Sequence, residues 1–390
     1  MSGTGDARRT LGPAPDAPHR VRPGEELDVA RLAGFLAANV PGLAGVAAYD
    51  VEVTQFGGGF SNLTYLVRVA SGDVATNLVL RRPPFGVRRA VGSGFAHDVL
   101  REYRLLAALR PAHGRAAFAR VPRIVAACAD DTVLGAPFYL MERVHGVILR
   151  GRPGDTPPDA ATLRGMSERF VSELASLHAV DWRASGLGEF GRPSGYVARQ
   201  VSGWTTRWHA ARTEHVPAVE RVAAWLADHQ PPEPCDAFDP AALLHNDFKY
   251  DNFVLDPADL TRVVAVLDWE MATVGAPLMD LGTALAYWLE ADDPPVLRGL
   301  GLGLTAAPGN MTRAELVHAY GRATGRDVSD ALFYFVYGVF KLAVVAQQIF
   351  ARYVAGHTRD PRFARLDVVV HALGGLAQRA VDTGRIDHLG

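Results

Sequence analysis

The chain has its densest chemistry in Leu244-His245-Asn246-Asp247-Phe248-Lys249-Tyr250-Asp251-Asn252, followed after a short gap by Val266-Leu267-Asp268-Trp269-Glu270. Phosphoryl transfer asks a protein for one carboxylate that takes the proton of an attacking hydroxyl. It also asks for oxygen ligands that hold Mg²⁺ on the transferring phosphates. Asp247, Asn252 and Asp268 are residues of those types. An Asp and an Asn five apart on a loop can face one cleft, and the second Asp arrives from the end of an expected strand, 263–267. A plainer use of the same residues stays open, with Asp247 and Asp251 as turn residues and Asp268 as a helix cap.

A second block, Phe56-Gly57-Gly58-Gly59-Phe60-Ser61-Asn62, separates two alternating segments, 51–56 and 63–69. A glycine run between strands, instead of before a helix, excludes the Rossmann and Walker readings. Glycines let backbone approach phosphate, and the N–H groups of Phe60 and Ser61 can donate to it; a simple hairpin turn is the commoner explanation of such a run taken by itself. The third expected strand, 77–81, ends in Leu78-Val79-Leu80-Arg81-Arg82, where a protein kinase carries its phosphate-binding lysine. Alternation places Arg81 with Val79 and Arg82 with Leu80, so one arginine alone can enter the cleft. We assign Arg81 to it. Guanidinium keeps the charge while changing the reach, and Glu102, on the expected helix 97–109, is the carboxylate to hold it. The alternative is a solvated basic face made of Arg81, Arg82, Arg88 and Arg89.

These residues need a scaffold, and the periodicity supplies one. After a tail, 1–25, a helical pattern at 27–40 stops before Pro41-Gly42, and the three strands, the helix and two further strands at 123–128 and 138–142 follow. Residues 26–145 therefore read as a strand-rich small lobe. Beyond them, 146–390 is largely helical, opening with the apolar face Leu163, Met166, Phe170, Leu174 and Leu177 and broken by a strand-like region at 243–267. This is an α+β architecture of two lobes with a natural cleft between them.

Composition narrows the partners. Lys and Arg number 40 against 42 Asp and Glu, so no basic field gathers nucleic acid, and none is expected as a partner. Two cysteines, Cys128 and Cys235, are too few for a metal cluster or a disulfide framework. The first twenty residues lack an apolar core, which points away from a secretory signal and toward the cytoplasm. The apolar stretch 331–350 carries Lys341 in its middle with Gln347 and Gln348 behind it, so a buried amphipathic helix is expected there and no membrane span. Oligomeric state is left open.

Taken together, the blocks resemble the aminoglycoside phosphotransferase family, and more narrowly its kinase-like branch related to the N-terminal region of some acyl-CoA dehydrogenase fusion proteins. The resemblance covers about residues 50–350. It rests on 56–65, 78–84, Arg101 to Leu106 and 138–146, and most specifically on 245–252 and 267–282. It implies a protein-kinase-like two-lobed fold with a nucleotide cleft, using ATP and Mg²⁺ to phosphorylate a hydroxyl of a small molecule. Asp247 resembles the family's catalytic base, and Asn252 and Asp268 its Mg²⁺ ligands. Gly58, Gly59, Phe60, Ser61, Asn62, Arg81 and Glu102 match its phosphate-binding region, and Met141, Glu142 and Val144 its adenine-binding hinge. His245 and Asp280 match bracing positions. The chain departs from the family at Asn246, where glycine is common, and at Arg81, where lysine is.

The remaining conspicuous residues have plain readings: His178 as a packing or capping histidine, and most of Trp204, Trp208, Tyr287 and Trp288 as core. A protein kinase is disfavoured by Asp268-Trp269-Glu270 in place of Asp-Phe-Gly. A pseudokinase that binds without catalysis is the alternative, and the intact trio of Asp247, Asn252 and Asp268 argues against it. For the acceptor, Arg199, Arg207, Arg212 and Arg221 outnumber Glu214, Glu220 and Asp228 in 194–229. That balance leans toward a neutral or anionic molecule such as a hydroxyacyl-CoA.

Overall fold

Alternating apolar residues build the first sheet. In β2 (Leu63–Ser71), Tyr65, Val67 and Val69 are fully buried, and in β3 (Val74–Arg82) Leu78 and Leu80 share that face. They pack with Leu32, Ala33 and Leu36 of α1 (Val29–Asn39), whose first turn is capped by the Asp28 carboxylate. With β1 (Val51–Gln55), β4 (Ile124–Cys128) and β5 (Phe138–Glu142), the strands form one antiparallel sheet in the order β1-β2-β3-β5-β4, with α2 (Val99–Leu109) between β3 and β4 in the chain and α3 (Asp131–Leu134) between β4 and β5. The computed structural model describes residues 17–57, 62–71, 74–86, 98–111, 117–151, 155–232, 240–299, 303–358 and 360–390. Gly58, Gly59, Phe60 and Ser61, and with them Arg88, Arg89 and Cys235, lie outside the described residues.

Two details differ from the sequence reading. β3 starts at Val74 and stays paired with β2 down to Ser71↔Val74, because so short a connection leaves the hairpin no room to splay. Residues 19–25, assigned above to the tail, are tied to the sheet. His19 exchanges both backbone hydrogen bonds with Gln55 at 2.8 Å, and the Tyr65 hydroxyl donates to the Glu25 carbonyl at 2.7 Å.

The chain divides into two compact units, Met1–Ala107 with Pro122–Arg143, and Ala108–Val121 with Val144–Gly390. The second carries α4 (Ala160–His178), α5 (Tyr196–Ala211), α6 (Pro217–Asp228), α7 (Pro277–Tyr287), α8 (Arg313–Thr324), α9 (Ala331–Val354) and α10 (Leu366–Thr383). Two short antiparallel pairs lie among them, β6 (Ala242–Leu244) with β9 (Thr273–Gly275), and β7 (Phe253–Asp256) with β8 (Asp259–Val266). Phe170 of α4 is the hub that holds these layers. Its ring sits 4.9 Å from Phe248, 5.6 Å from Tyr250 and Phe253, and 5.0 Å from Trp288.

Among the described residues one helix, α9, is long and apolar enough to cross a membrane, but most of it is buried against α10, α7 and α5. Its crossing with α7 is unusually close. A Cβ on Gly338 would lie 2.1 Å from the Gly282 carbonyl oxygen, and one on Gly282 would lie 2.1 Å from the Tyr334 oxygen. Glycine at both positions is what allows backbone to meet backbone.

Candidate active site

The site grows out of the β7–β8 ladder. Phe253 pairs with Val266, and the next rung is the Leu267 N–H donating to the Asn252 carbonyl at 2.8 Å. The Leu267 carbonyl accepts Nε2–H of His245 at 3.0 Å. Leu267 is thus held at both ends, and the residue that follows it is Asp268. Both Asn246 (φ 63) and Asp268 (φ 66) occupy the left-handed region, where Asn and Asp are the side chains best tolerated after glycine. That accounts for asparagine at a family glycine position. The Asn246 side chain adds a tie that glycine lacks, Nδ2 to the Met271 carbonyl at 3.1 Å.

Asp280, in the first turn of α7, braces the loop from below. Its fully buried carboxylate accepts the backbone N–H of His245 at 2.6 Å and of Asn246 at 2.7 Å. His178 Nε2 donates to the same carboxylate at 3.2 Å, while His178 Nδ1 meets the Tyr320 hydroxyl at 2.6 Å. His178 is therefore a packing residue, joining α4, α7 and α8.

Because His245 Nε2 donates to Leu267, its Nδ1 is the acceptor for the Asp247 N–H at 3.2 Å, so the neutral ring is the form that fits. Burial pulls its pKa below the usual histidine range, against the pull of Asp280 and Asp247. As pH falls through about 6.5 the unfolded chain takes up a proton that the native ring refuses, and stability falls with it. Urea melts at neutral and mildly acid pH should show this loss in the wild type and a smaller one in His245→Gln. Equal losses in both proteins would exclude His245 as the source.

Around Asp247 the charges are closely matched. Lys249 Nζ stands 2.9 and 2.8 Å from its two carboxylate oxygens, and Asn252 Nδ2 donates to one of them at 3.0 Å and to the Asp247 carbonyl at 2.7 Å. Burial is the largest influence on the Asp247 pKa and raises it, but the charge and hydrogen bond of Lys249, with His245 and Tyr287, together outweigh it and hold the carboxyl below its ordinary range. Burial likewise disfavours the Lys249 ammonium, and Asp247, Tyr287 and Asp268 together reverse that, raising it above the ordinary lysine value. Lys249 also lies 4.5 Å from the centre of the Tyr287 ring, and the Tyr287 hydroxyl is pushed up by burial and by Asp247. Behind Lys249, Phe170, Tyr250, Tyr287 and Trp288 enclose a cavity of about 10 Å³, room for about one water and not for an acceptor.

The donor set suits a hard cation. Asn252 spends its Nδ2 on two acceptors, which turns Oδ1 the other way, and Asp268 adds a carboxylate that acts electrostatically on both Lys249 and Tyr287. Two oxygen ligands beside a carboxylate are what Mg²⁺ takes from protein when phosphates and water fill its other positions.

In the first unit, Arg81 Nε lies 3.3 Å from Glu102 Oε2 and both side chains are buried. Arg82, on the opposite face, donates to the Leu134 carbonyl at 2.8 Å and stacks 3.6 Å over Phe85. The structure thus brings Arg81 to Glu102, and separately Asp247, Asn252 and Asp268 to one another. Asn62 is buried at the start of β2. Met141 and Glu142 end β5, where the Glu142 N–H donates to the Arg123 carbonyl at 2.8 Å, and Val144 begins the second unit.

Residues 52–317 match the model of a family described as the phosphotransferase enzyme family. The chain belongs to that family. Over 340 residues it is 34% identical to acyl-CoA dehydrogenase family member 11 of Gallus gallus, a match covering 86% of this chain and 41% of that protein. The chain therefore spans about two fifths of that relative's length. The crystal structure of an aminoglycoside phosphotransferase candidate from Ralstonia eutropha superposes with a TM-score of 0.73 at 30% identity, covering 92% of this chain and 99% of that one. A choline kinase from Cryptosporidium parvum, at 11% identity and a TM-score of 0.58 over 90% of this chain and 96% of its own, shares the kinase-like fold.

For this family member, two lysines at the site carried no role in the sequence reading. Lys249 stood in plain view two residues after Asp247. Lys341 was read as a polar interruption in an apolar helix; the signal for its place was Gly338 three residues before it, on the same helical face.

Proposed function

We propose that the protein transfers the γ-phosphoryl group of ATP to a hydroxyl group of a small molecule, with Mg²⁺ as the metal. The observation that carries this is the clamp on Leu267, which sets the Asp268 backbone beside Asn252 while Asn252 grips Asp247. Asp247 takes the proton as the hydroxyl oxygen forms its bond to phosphorus and the β–γ bridge oxygen leaves with the bond electrons. Lys249 keeps Asp247 ionised and ready to accept. Asn252 Oδ1 and Asp268 would hold Mg²⁺, which when bound neutralises phosphate charge. Arg81, held by Glu102, is the candidate phosphate ligand within the first unit.

The acceptor reading needs revision in its grounds. Arg212 is paired with Glu220 at 3.1 Å, Glu214 with His371 at 3.1 Å, and Arg221 donates to Gln378 at 2.9 Å. Those side chains are committed to one another across α5, α6 and α10 and their connections. The lean toward a neutral or anionic acceptor, such as a hydroxyacyl-CoA, rests instead on Lys249, which neutralises the Asp247 carboxylate at 2.8 Å. The even charge balance supports an enzyme of small molecules over one of nucleic acid, and the cytoplasm, with no membrane partner, is its proposed location.

Thermal unfolding with and without Mg²⁺-ATP tests the reading. Ligand at about 100 times its Kd adds about 2.7 kcal/mol to the native state. The wild type should gain this only when metal is present, and Asp268→Ala should gain none of it. Stabilisation that is equal in Asp268→Ala would remove Asp268 from the metal site, and no response in either protein would favour a pseudokinase.

A further inference from the structure

Lys341 reaches the catalytic loop from behind, out of the middle of α9. Its side chain is buried, and Nζ donates to the Asn246 carbonyl at 2.9 Å. Residues three apart share a helical face, so the contact of Gly338 with Gly282 aims position 341 toward the loop that Asp280 holds. The Asn246 carbonyl belongs to the peptide joining Asn246 to Asp247. Because Asn246 is left-handed (φ 63), that carbonyl points into the protein instead of continuing a strand, and an unpartnered carbonyl there would carry a desolvation cost.

Packing alone does not call for a lysine. Its helical neighbours Tyr337, Val344 and Gly338 pack as buried, uncharged residues, and its ammonium lies 5.8 Å from the Trp204 ring with no carboxylate in direct contact among the described residues. Burying that charge is unfavourable unless the ammonium is put to use. The use the geometry offers is orientation of the peptide that leads into Asp247, with Asp280 gripping the N–H of Asn246 on one side and Lys341 its C=O on the other.

We propose that Lys341 is a positioning residue for phosphoryl transfer, holding the 246–247 peptide so that the Asp247 carboxylate meets the acceptor hydroxyl. This rests on the phosphotransferase reading above. The test compares wild type with Lys341→Met in two measurements, Mg²⁺-ATP turnover with water standing in for the acceptor, and amide hydrogen exchange. We expect kcat to fall about tenfold or more, with KM for ATP unchanged within about threefold. Exchange in 245–247 should quicken about tenfold while exchange in 334–340 stays as in the wild type. Turnover within about threefold of wild type, or unchanged exchange in 245–247, overturns the proposal. Quickened exchange throughout α9 does so too, since it would mark Lys341 as a packing residue only. If neither protein turns over ATP with water or with any screened acceptor, the phosphotransferase reading falls and the exchange pattern still decides whether Lys341 holds the loop. Should Lys341→Met fail to fold, Lys341→Gln, which keeps a neutral donor, carries the same measurements.

Discussion

Asp247→Asn should lower turnover by about 10³-fold while nucleotide affinity stays close to wild type, with some loss of stability because Lys249 loses its ion partner. The amide is almost the same shape as the carboxylate, so the 245–252 loop keeps its braces at Asp280 and Leu267. What disappears is the proton acceptor, together with the charge that Lys249 faces at 2.8 Å. Loss of a positioned general base costs between about 10² and 10⁴ in rate. The middle of that range is expected here, and Asn252 Nδ2 and Lys249, both pointing at position 247, would then face a group with half its acceptor capacity. Turnover of Mg²⁺-ATP, with an acceptor found by screening or with water, measures the loss. A variant that retains more than about a third of wild-type turnover would show that Asp247 is a turn residue and that the base lies elsewhere.

The second large effect is on stability. Asp280→Ala removes an acceptor shared by the N–H groups of His245 and Asn246, at 2.6 and 2.7 Å, and by His178 at 3.2 Å. All of these donors are then buried without their partner, in a spot that water does not reach. Breaking a buried charged network from one side costs about 3–5 kcal/mol. For a unit of this size that corresponds to a fall in Tm of roughly 10 °C. Asp280→Asn should lose less, because one carbonyl oxygen remains to accept. A urea titration in which Asp280→Ala lies within about 1 kcal/mol of wild type would contradict the network as described.

Much of this was legible in the chain because it is local. The strands of the first unit alternate cleanly, and Val79 and Arg81 fall on the face opposite Leu80 and Arg82, so parity separated the two arginines without choosing between them; the pair the structure holds, at 3.3 Å, is Arg81 with Glu102. Asp247, Asn252 and Asp268 were legible from residue type and spacing. The braces were less so. The link from Asp280 to the loop was visible only through family likeness, since it spans 35 residues, and the link from Lys341 to Asn246 spans 95. No periodicity reports a contact of that range. The segment 19–25 was misjudged for a related reason, because it continues a glycine- and proline-rich stretch, 1–18, and no local pattern shows its backbone pairing with Gln55. The charge count over 194–229 failed in another way, since a count does not show which charges are already committed to one another.

The glycine contact between α7 and α9 has a consequence for how such an enzyme can change over time. Asp280 and Tyr287 sit on one of the two helices and Lys341 on the other, so a side chain larger than hydrogen at Gly282 or Gly338 would push apart the partners that shape the loop. Drift at that crossing is closed off. The helices α5 and α6 meet solvent along much of their length and carry none of these braces apart from the Tyr196 hydroxyl near Asn246. Substitutions along their solvent face can therefore accumulate without disturbing the loop that Asp280 and Lys341 hold.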